Sequence, residues 1–369
     1  MKVLCTTIHG FEDIAAKEIE SFGGNVIEIL KGKIIADGLN EEDIVSMNFS
    51  SRTLHRVCIL LAHQRFSDIE EIYKIARELD YTEWLSSDRT FEVRTNREGE
   101  HNFTSMDVNR YVGQAVIESY LEDTGHRLKV NLEEPDVSIK CWVHNDYFLI
   151  GIDTTGDSLH RRDYRVYQHH APLKSTIAAA MIMWSGWQKN KILCDPFCGS
   201  GTILIEGAYI AKNFPPNIGR DKFLYRNLKI FHDVEVEDVR EKLLKKVRET
   251  KAKIYGVDIS PKHIEGCKKC IEAAGVRDSV KCRVDNALTA WEVETADYII
   301  TNPPYGIRSS SLKKTIQLYK DFAERLLNME DKIFVVITPH RTFEYYFENF
   351  EKKFVKYGDL DVFVYKIKI

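Results

Sequence analysis

Asn302-Pro303-Pro304-Tyr305 closes an apolar run, Ala296 to Thr301, and these residue types in this order suit one kind of chemistry. The Asn302 amide oxygen and the Pro303 carbonyl can each accept an N–H, so together they could hold both hydrogens of an exocyclic NH2. Tyr305 could stack on the ring that carries it. Two adjacent prolines fix φ and donate nothing to a ladder, so they stop a strand abruptly and hold these groups rigidly. The run before them reads as a buried parallel strand, which puts the clamp at a strand's C-terminal end, where open α/β sheets bind ligands. N6 of adenine, N2 of guanine, N4 of cytosine and a glutamine amide all fit. Each nitrogen's lone pair is delocalised, so positioning and electrostatics matter more than a strong base. A base inside a helix would have to flip out to reach the clamp.

A second motif lies about a hundred residues upstream, at Asp195-Pro-Phe197-Cys-Gly199-Ser200-Gly201-Thr202. Strand, glycine turn and helix N-terminus make a cradle for a cofactor. Leu204 stands where a dinucleotide fingerprint has its third glycine, and no phosphate-binding lysine follows. Asp195 at the strand end suits a cationic ligand better than a pyrophosphate.

Together the motifs resemble those of the amino-methyltransferases that use S-adenosylmethionine (AdoMet), in which a DPFCGSGT loop precedes an (N/D)PP(Y/F) clamp. The resemblance implies a seven-stranded, mostly parallel Rossmann-like class I sheet. It implies a cofactor loop of Asp195, Phe197, Gly199, Ser200, Gly201 and Thr202, and a ribose contact at Asp258 with Ile259 beside it. Asp285, with Asn286 and Ala287, would face the adenine, and Pro172, Leu173 and Lys174 would close over the cofactor. Asn302, Pro303 and Tyr305 would be the catalytic group, with Asn302 also bordering AdoMet. Asp258 follows Gly201 by 57 residues, far beyond the spacing of about 20 in a nucleotide-binding unit; the segment Phe214 to Lys253, with Pro215-Pro216 and a charged helix, explains the excess.

Composition and charge narrow the setting. The chain has 369 residues, 44% of them hydrophobic, enough for two or three cores. No run of about 18 apolar residues suggests a membrane span, and the start is not that of a signal peptide. Eight scattered cysteines read as reduced cytoplasmic thiols. Cys267 and Cys270 fall in a predicted helix without a second pair, so no metal is expected. Net charge is −4, yet residues 1–155 carry 16 Lys+Arg against 28 Asp+Glu and the remainder 36 against 28. A polyanion would therefore be drawn mainly to the second half.

The elements that must position these groups divide the chain. Residues 1–64 read strand–helix–strand–strand–helix–strand, a ferredoxin-like order. Residues 65–155 read helix Ile69–Leu79, strand Phe91–Arg97, helix Ser105–Leu121, then strands near Lys129, at Val137–Val143 and at Tyr147–Ile152. Thr104 and Asp107 form a capping-box variant, and Met106, Tyr111, Val112, Ala115, Val116 and Leu121 are the expected apolar stripe. Phe91 to Arg110 resembles the THUMP module of RNA-modifying enzymes, which implies RNA contacts at Arg94, Arg97 and Arg110. The alternative is that these arginines only balance Glu92, Glu98 and Asp107 on a solvated face. Residues 156–175 form a polar linker whose Arg161 and Arg162 read either as solvated or as lying beside an anion-binding cleft. The catalytic domain is then 176–369.

Ferredoxin-like lead, THUMP-like α+β module and catalytic domain together resemble the tRNA guanine-N2 methyltransferases over essentially the whole chain. Asn302 with Gly306-Ile307-Arg308 is similar to the members acting at position 6 of the acceptor stem, and implies an RNA contact at Arg308. The expected partner is tRNA, through its acceptor stem and 3′ end, with no membrane and no obligate protein partner. The rRNA guanine-N2 methyltransferases share the NPPYG motif. An adenine-N6 methyltransferase and an inactive RNA-binding protein stay open as alternatives.

Overall fold

The computed structural model describes residues 1–167, 172–306, 312–358 and 360–369. The front half opens with β1 (Val3–Thr7), α1 (Glu12–Ser21), β2 (Asn25–Leu30), β3 (Lys33–Asp37), α2 (Glu41–Ser50) and β4 (Leu54–Arg65). α1 ends as Gly23 turns left-handed at φ +94°, a conformation glycine adopts without steric cost. Then come α3 (Ile69–Arg77), β5 (Thr90–Glu98), α4 (Ser105–Thr124), β6 (Lys129–Val130), β7 (Val137–His144) and β8 (Tyr147–Asp153).

Thr104 and Asp107 cap α4 reciprocally, as expected. Val112, Ala115 and Val116 of the expected α4 stripe are buried, but the ends of the stripe differ. Met106 and Leu121 are exposed, and Val108, Val112, Ala115, Val116, Ile117 and Tyr120 are buried. The first turn lies at the rim of the packed face, so Met106 has nothing to cover it.

The two front modules share one sheet, in the order β2-β3-β1-β4-β8-β7-β5-β6. β4 is the seam: it pairs antiparallel with β1 on one side and with β8 on the other. At 12 residues it is long enough to serve both neighbours at once.

The second half contains α5 (Ser175–Ser185), β9 (Leu193–Asp195), α6 (Thr202–Lys212), α7 (Val236–Leu244), β10 (Ile254–Asp258), α8 (Pro261–Ala273), β11 (Val280–Val284), α9 (Trp291–Thr295), β12 (Tyr298–Thr301), α10 (Leu312–Leu327), β13 (Ile333–Thr338), β14 (Phe350–Tyr357) and β15 (Leu360–Lys368). Among the described residues its sheet runs β11-β10-β9-β12-β13-β15-β14. The strands are parallel except β15, which pairs antiparallel with both β13 and β14. The chain moves outward from β9 to β11 and then crosses back to β12. Strand order thus reverses between β9 and β12, the place where such sheets form a crevice.

The segment after α6 leaves its own domain. Phe223, Tyr225, Leu228, Phe231, Val239 and Leu243 are buried in the core of the front half. Tyr225 N–H donates to Thr154 at 2.9 Å and Asn217 N–H to Phe49 at 3.0 Å.

All eight cysteines are free thiols, with Cys267 and Cys270 buried on α8. No group of three potential metal ligands occurs among the described residues. No described helix is long and apolar enough to cross a membrane.

Candidate active site

β9, β10 and β12 run parallel and end at one edge of the sheet, with Asp195, Asp258 and Thr301 as their last residues. Beyond Asp195 the chain turns through Gly199 (φ +53°) and Gly201 (φ +82°) into α6. A side chain on Gly201 would bring Cβ within 2.6 Å of Cys267 Sγ, so glycine here lets the loop lie flat against α8. Two bonds fasten the loop to β10. Cys198 N–H donates to the Val257 carbonyl at 2.9 Å, and Gly199 N–H donates to Asp258 Oδ2 at 3.0 Å.

Asp195 is buried rather than presented to a ligand. Its Oδ1 accepts the Thr301 hydroxyl at 2.6 Å and the Phe197 N–H at 3.1 Å. Burial raises its pKa to about 7, against the pull of those two bonds and with a further push from Asp258. The carboxyl expected to meet a cation thus serves first as a brace between two strand ends.

Asp258 stands one strand over. Its Oδ1 accepts Ser260 N–H at 2.8 Å, and the Ser260 hydroxyl in turn caps α8. Ile259 beside it is 73% exposed, an apolar surface next to an acid at the crevice edge. Asp285 continues from β11, its N–H bonded to the Asp258 carbonyl at 3.1 Å and its carboxylate paired with Arg283. Asn286 opens the turn that follows, while Ala287 is buried, its carbonyl held by Arg325. Ser200 is half-buried, Thr202 is buried at the first turn of α6, and the Phe197 ring packs edge-on against Phe322.

Asn302 begins the clamp. Its Oδ1 is buried and has no hydrogen-bond partner among the described residues. A buried acceptor left unpaired costs free energy that a donor from a ligand would recover. Pro303 is buried. The Pro304 carbonyl accepts the Tyr319 hydroxyl at 2.9 Å, and the Tyr305 carbonyl lies 2.9 Å from His340 Nε2. Thr338 supports both helpers, donating to Tyr319 at 3.2 Å and accepting His340 N–H at 3.0 Å. Tyr305 packs against the core with its hydroxyl buried and, among the described residues, unpartnered; desolvation holds that phenol far above its usual pKa.

Thr301, Tyr319, Thr338 and His340 were not singled out in the sequence. One signal pointed to the last two: Thr338 closes the apolar strand Ile333–Thr338 and His340 follows two residues on, at the same sheet edge as Asp195 and Asp258.

The remaining candidates are spread more widely. Leu173 is buried in the core of the catalytic half. Pro172 is exposed, its carbonyl accepting the Tyr357 hydroxyl at 2.6 Å, and the Lys174 ammonium sits 5.9 Å from the Tyr357 ring centre. Arg97 is exposed and, among the described residues, bonds only neighbouring groups, Gly99 and His101. Arg94 pairs with Glu92 and donates to the Leu132 carbonyl. Arg110 pairs with Asp107 and Arg161 with Asp157, both on the surface. Arg162 departs from expectation: its side chain is completely buried against Glu206, out of reach of any RNA. A guanidinium with a buried carboxylate partner and several backbone acceptors is held in the interior. Arg308 lies outside the described residues.

The donor set fits AdoMet. Two carboxylates at adjoining strand ends suit hydroxyl and amino groups, and exposed Ile259 suits a flat base.

Comparison with known proteins places this geometry. Residues 162–362 match the RMKL-like methyltransferase domain, residues 66–153 the THUMP domain and residues 2–58 the RlmL ferredoxin-like domain. A tRNA (guanine(6)-N2)-methyltransferase of Methanocaldococcus jannaschii is 39% identical, over 93% of this chain and 92% of that protein. One from Archaeoglobus fulgidus is 38% identical, over 98% and 90%. A ribosomal RNA large subunit methyltransferase K/L of Shewanella frigidimarina is 30% identical over 86% of this chain but only 45% of its own length. The solved structure of SMU.472, complexed with SAH, superposes with a TM-score of 0.88 at 26% identity, covering 100% of this chain and 97% of that one.

Proposed function

The chain belongs to the RMKL-like family of THUMP-bearing methyltransferases, and on that footing we propose that it methylates the exocyclic N2 of a tRNA guanosine, at position 6 of the acceptor stem. AdoMet, held by the glycine loop, Asp258 with Ile259 and Asp285 with Asn286, supplies an electrophilic methyl carbon on a sulfonium when bound.

The chain's own residues do the positioning. Asn302 Oδ1 and the Pro303 carbonyl accept the two N–H bonds of the guanine amine, which draws its lone pair out of the ring plane. Tyr319 and His340 hold the next two carbonyls of the loop, so the clamp keeps its shape without the substrate. Tyr305, half-buried with its hydroxyl end sunk in the core, is the residue that would replace the stacking lost when the base flips. The amine can lose its proton to water after transfer, so no side chain has to act as a strong base.

The observation that carries this reading is the Asn302 oxygen at the C-terminal edge of β12, buried and without a hydrogen-bond partner among the described residues. Substrate identity is supported by the two archaeal relatives, which are similar along nearly their whole length. The rRNA enzyme of S. frigidimarina favours a second reading, guanine-N2 transfer to ribosomal RNA, although this chain spans about half its length. RNA contacts at Arg94, Arg97, Arg110 and Arg161, and action in the cytoplasm, belong to the same proposal.

Tritiated AdoMet incubated with tRNA or with rRNA, followed by nucleoside digestion, tests it. N2-methylguanosine from tRNA alone is the expected product. N6-methyladenosine, or label only in rRNA, would overturn the assignment.

A further inference from the structure

Arg162 joins four separate parts of the chain through one guanidinium. Nε donates to Glu206 Oε1 at 3.1 Å, and Nη2 lies 3.5 Å from Glu206 Oε2. Nη1 donates to the Leu159 carbonyl at 2.7 Å, to Asn217 Oδ1 at 3.1 Å and to the Ser51 carbonyl at 3.5 Å. Nη2 also donates to the Arg52 carbonyl at 3.2 Å. Both charged side chains are 0% exposed.

Each partner belongs to a functionally distinct element. Glu206 is on α6, the helix that grows out of the glycine loop, and its Oε1 also accepts the Tyr164 hydroxyl at 2.9 Å. Ser51 and Arg52 precede β4, the seam of the front sheet. Leu159 lies in the linker. Asn217 starts the segment that leaves the catalytic half to pack in the front core, and it reaches back to the Asn48 carbonyl at 3.3 Å. Asn227 extends the same link, donating to the Asp136 carbonyl at 2.8 Å beside β7. The planar fork of arginine meets six acceptor oxygens from five residues in fixed directions; a lysine ammonium keeps the charge and loses that geometry.

We propose that Arg162 is a positioning residue: it fixes the front half against the catalytic half so that RNA gripped by the first presents one nucleotide to the clamp of the second. The inference rests on the proposed tRNA activity. It concerns coupling between the halves and not the chemistry at Asn302.

The test is a cycle of two proteins and two substrates. kcat/KM is measured for wild type and Arg162→Lys on intact tRNA and on the same tRNA lacking its unpaired 3′ nucleotides, with AdoMet affinity followed by calorimetry. Wild type should lose strongly on truncation. Arg162→Lys should lose at least about fivefold on intact tRNA, much less on the truncated one, with AdoMet affinity unchanged. Mapping the label should then show methyl groups on neighbouring guanosines as well. Asn217→Ala, which removes one acceptor and leaves the charge pair intact, should give the same pattern to a smaller degree and covers the case that Arg162→Lys fails to fold. Equal losses on both substrates, with unchanged label position, would overturn the inference while leaving the activity standing. A wild type inactive on tRNA would overturn both.

Discussion

The Thr301 hydroxyl donates to Asp195 Oδ1 at 2.6 Å, bonding the strand that leads into the clamp to the strand that leads into the glycine loop. On the proposed function the amine and the methyl donor would approach from these two strand ends, and this single bond would help set the distance between them. Cys198 N–H on Val257 and Gly199 N–H on Asp258 extend the bracing to β10. The catalytic edge is thus one hydrogen-bonded unit before any ligand arrives, as preorganised sites require.

Asp195 should make stability depend on pH. Burial raises it to about 7 from an ordinary 3.8. The folded protein therefore prefers its neutral form, a contribution fully present below the unfolded value and lost as pH rises through about 7. Between about pH 5 and about pH 8 the wild-type melting temperature should fall relative to Asp195→Asn, by about 3 °C or more. Thr301→Val, which removes a bond to the carboxylate, should move that fall to higher pH. Parallel melting curves for wild type and Asp195→Asn across this range would refute the assignment.

Asn302→Ala removes the acceptor proposed to hold the substrate amine. Turnover should drop about 100-fold or more, the scale seen when one preorganised polar group is lost, while calorimetric AdoMet affinity changes little. A drop of similar size in both would mean that Asn302 serves the cofactor and not the amine.

Asp258 has the opposite signature. Its carboxylate holds Gly199 and Ser260 and stands beside exposed Ile259. Asp258→Ala should weaken AdoMet by about 10- to 100-fold, as loss of a charge-assisted bond does, and Asp258→Asn by less, because one acceptor oxygen survives. Binding that matches wild type in both variants would remove the residue from the cofactor site.

Arg97 is exposed and bonds its neighbours Gly99 and His101. Arg97→Ala should raise the tRNA KM several-fold at unchanged kcat and lower the salt slope of binding by about one. An unchanged KM with an unchanged slope would leave Arg97 an ordinary surface residue. Arg162→Lys, by contrast, should leave the salt slope alone, since that side chain is buried.

Much of this protein could be read from its sequence because the signals are local. Pro303-Pro304 after an apolar run can only end a strand, glycines at 199 and 201 mark a turn, and Thr104 with Asp107 caps a helix within four residues. Strand and helix order in the front half followed from period and turn chemistry alone. What the tertiary structure decided depends on partners far along the chain. Arg162 reads as one more polar linker residue until Glu206, 44 positions on, and Ser51, 111 positions back, close around it. Thr301 looks like the tail of a strand until Asp195, 106 residues earlier, meets its hydroxyl. The sides of α4 that are covered, the joining of two modules through β4, and the burial of Phe223 and Tyr225 in the other half's core are likewise set by packing. Local sequence determines which dihedrals and faces are available; which face is buried, and whether a charge meets a partner or water, is decided only when distant surfaces come together.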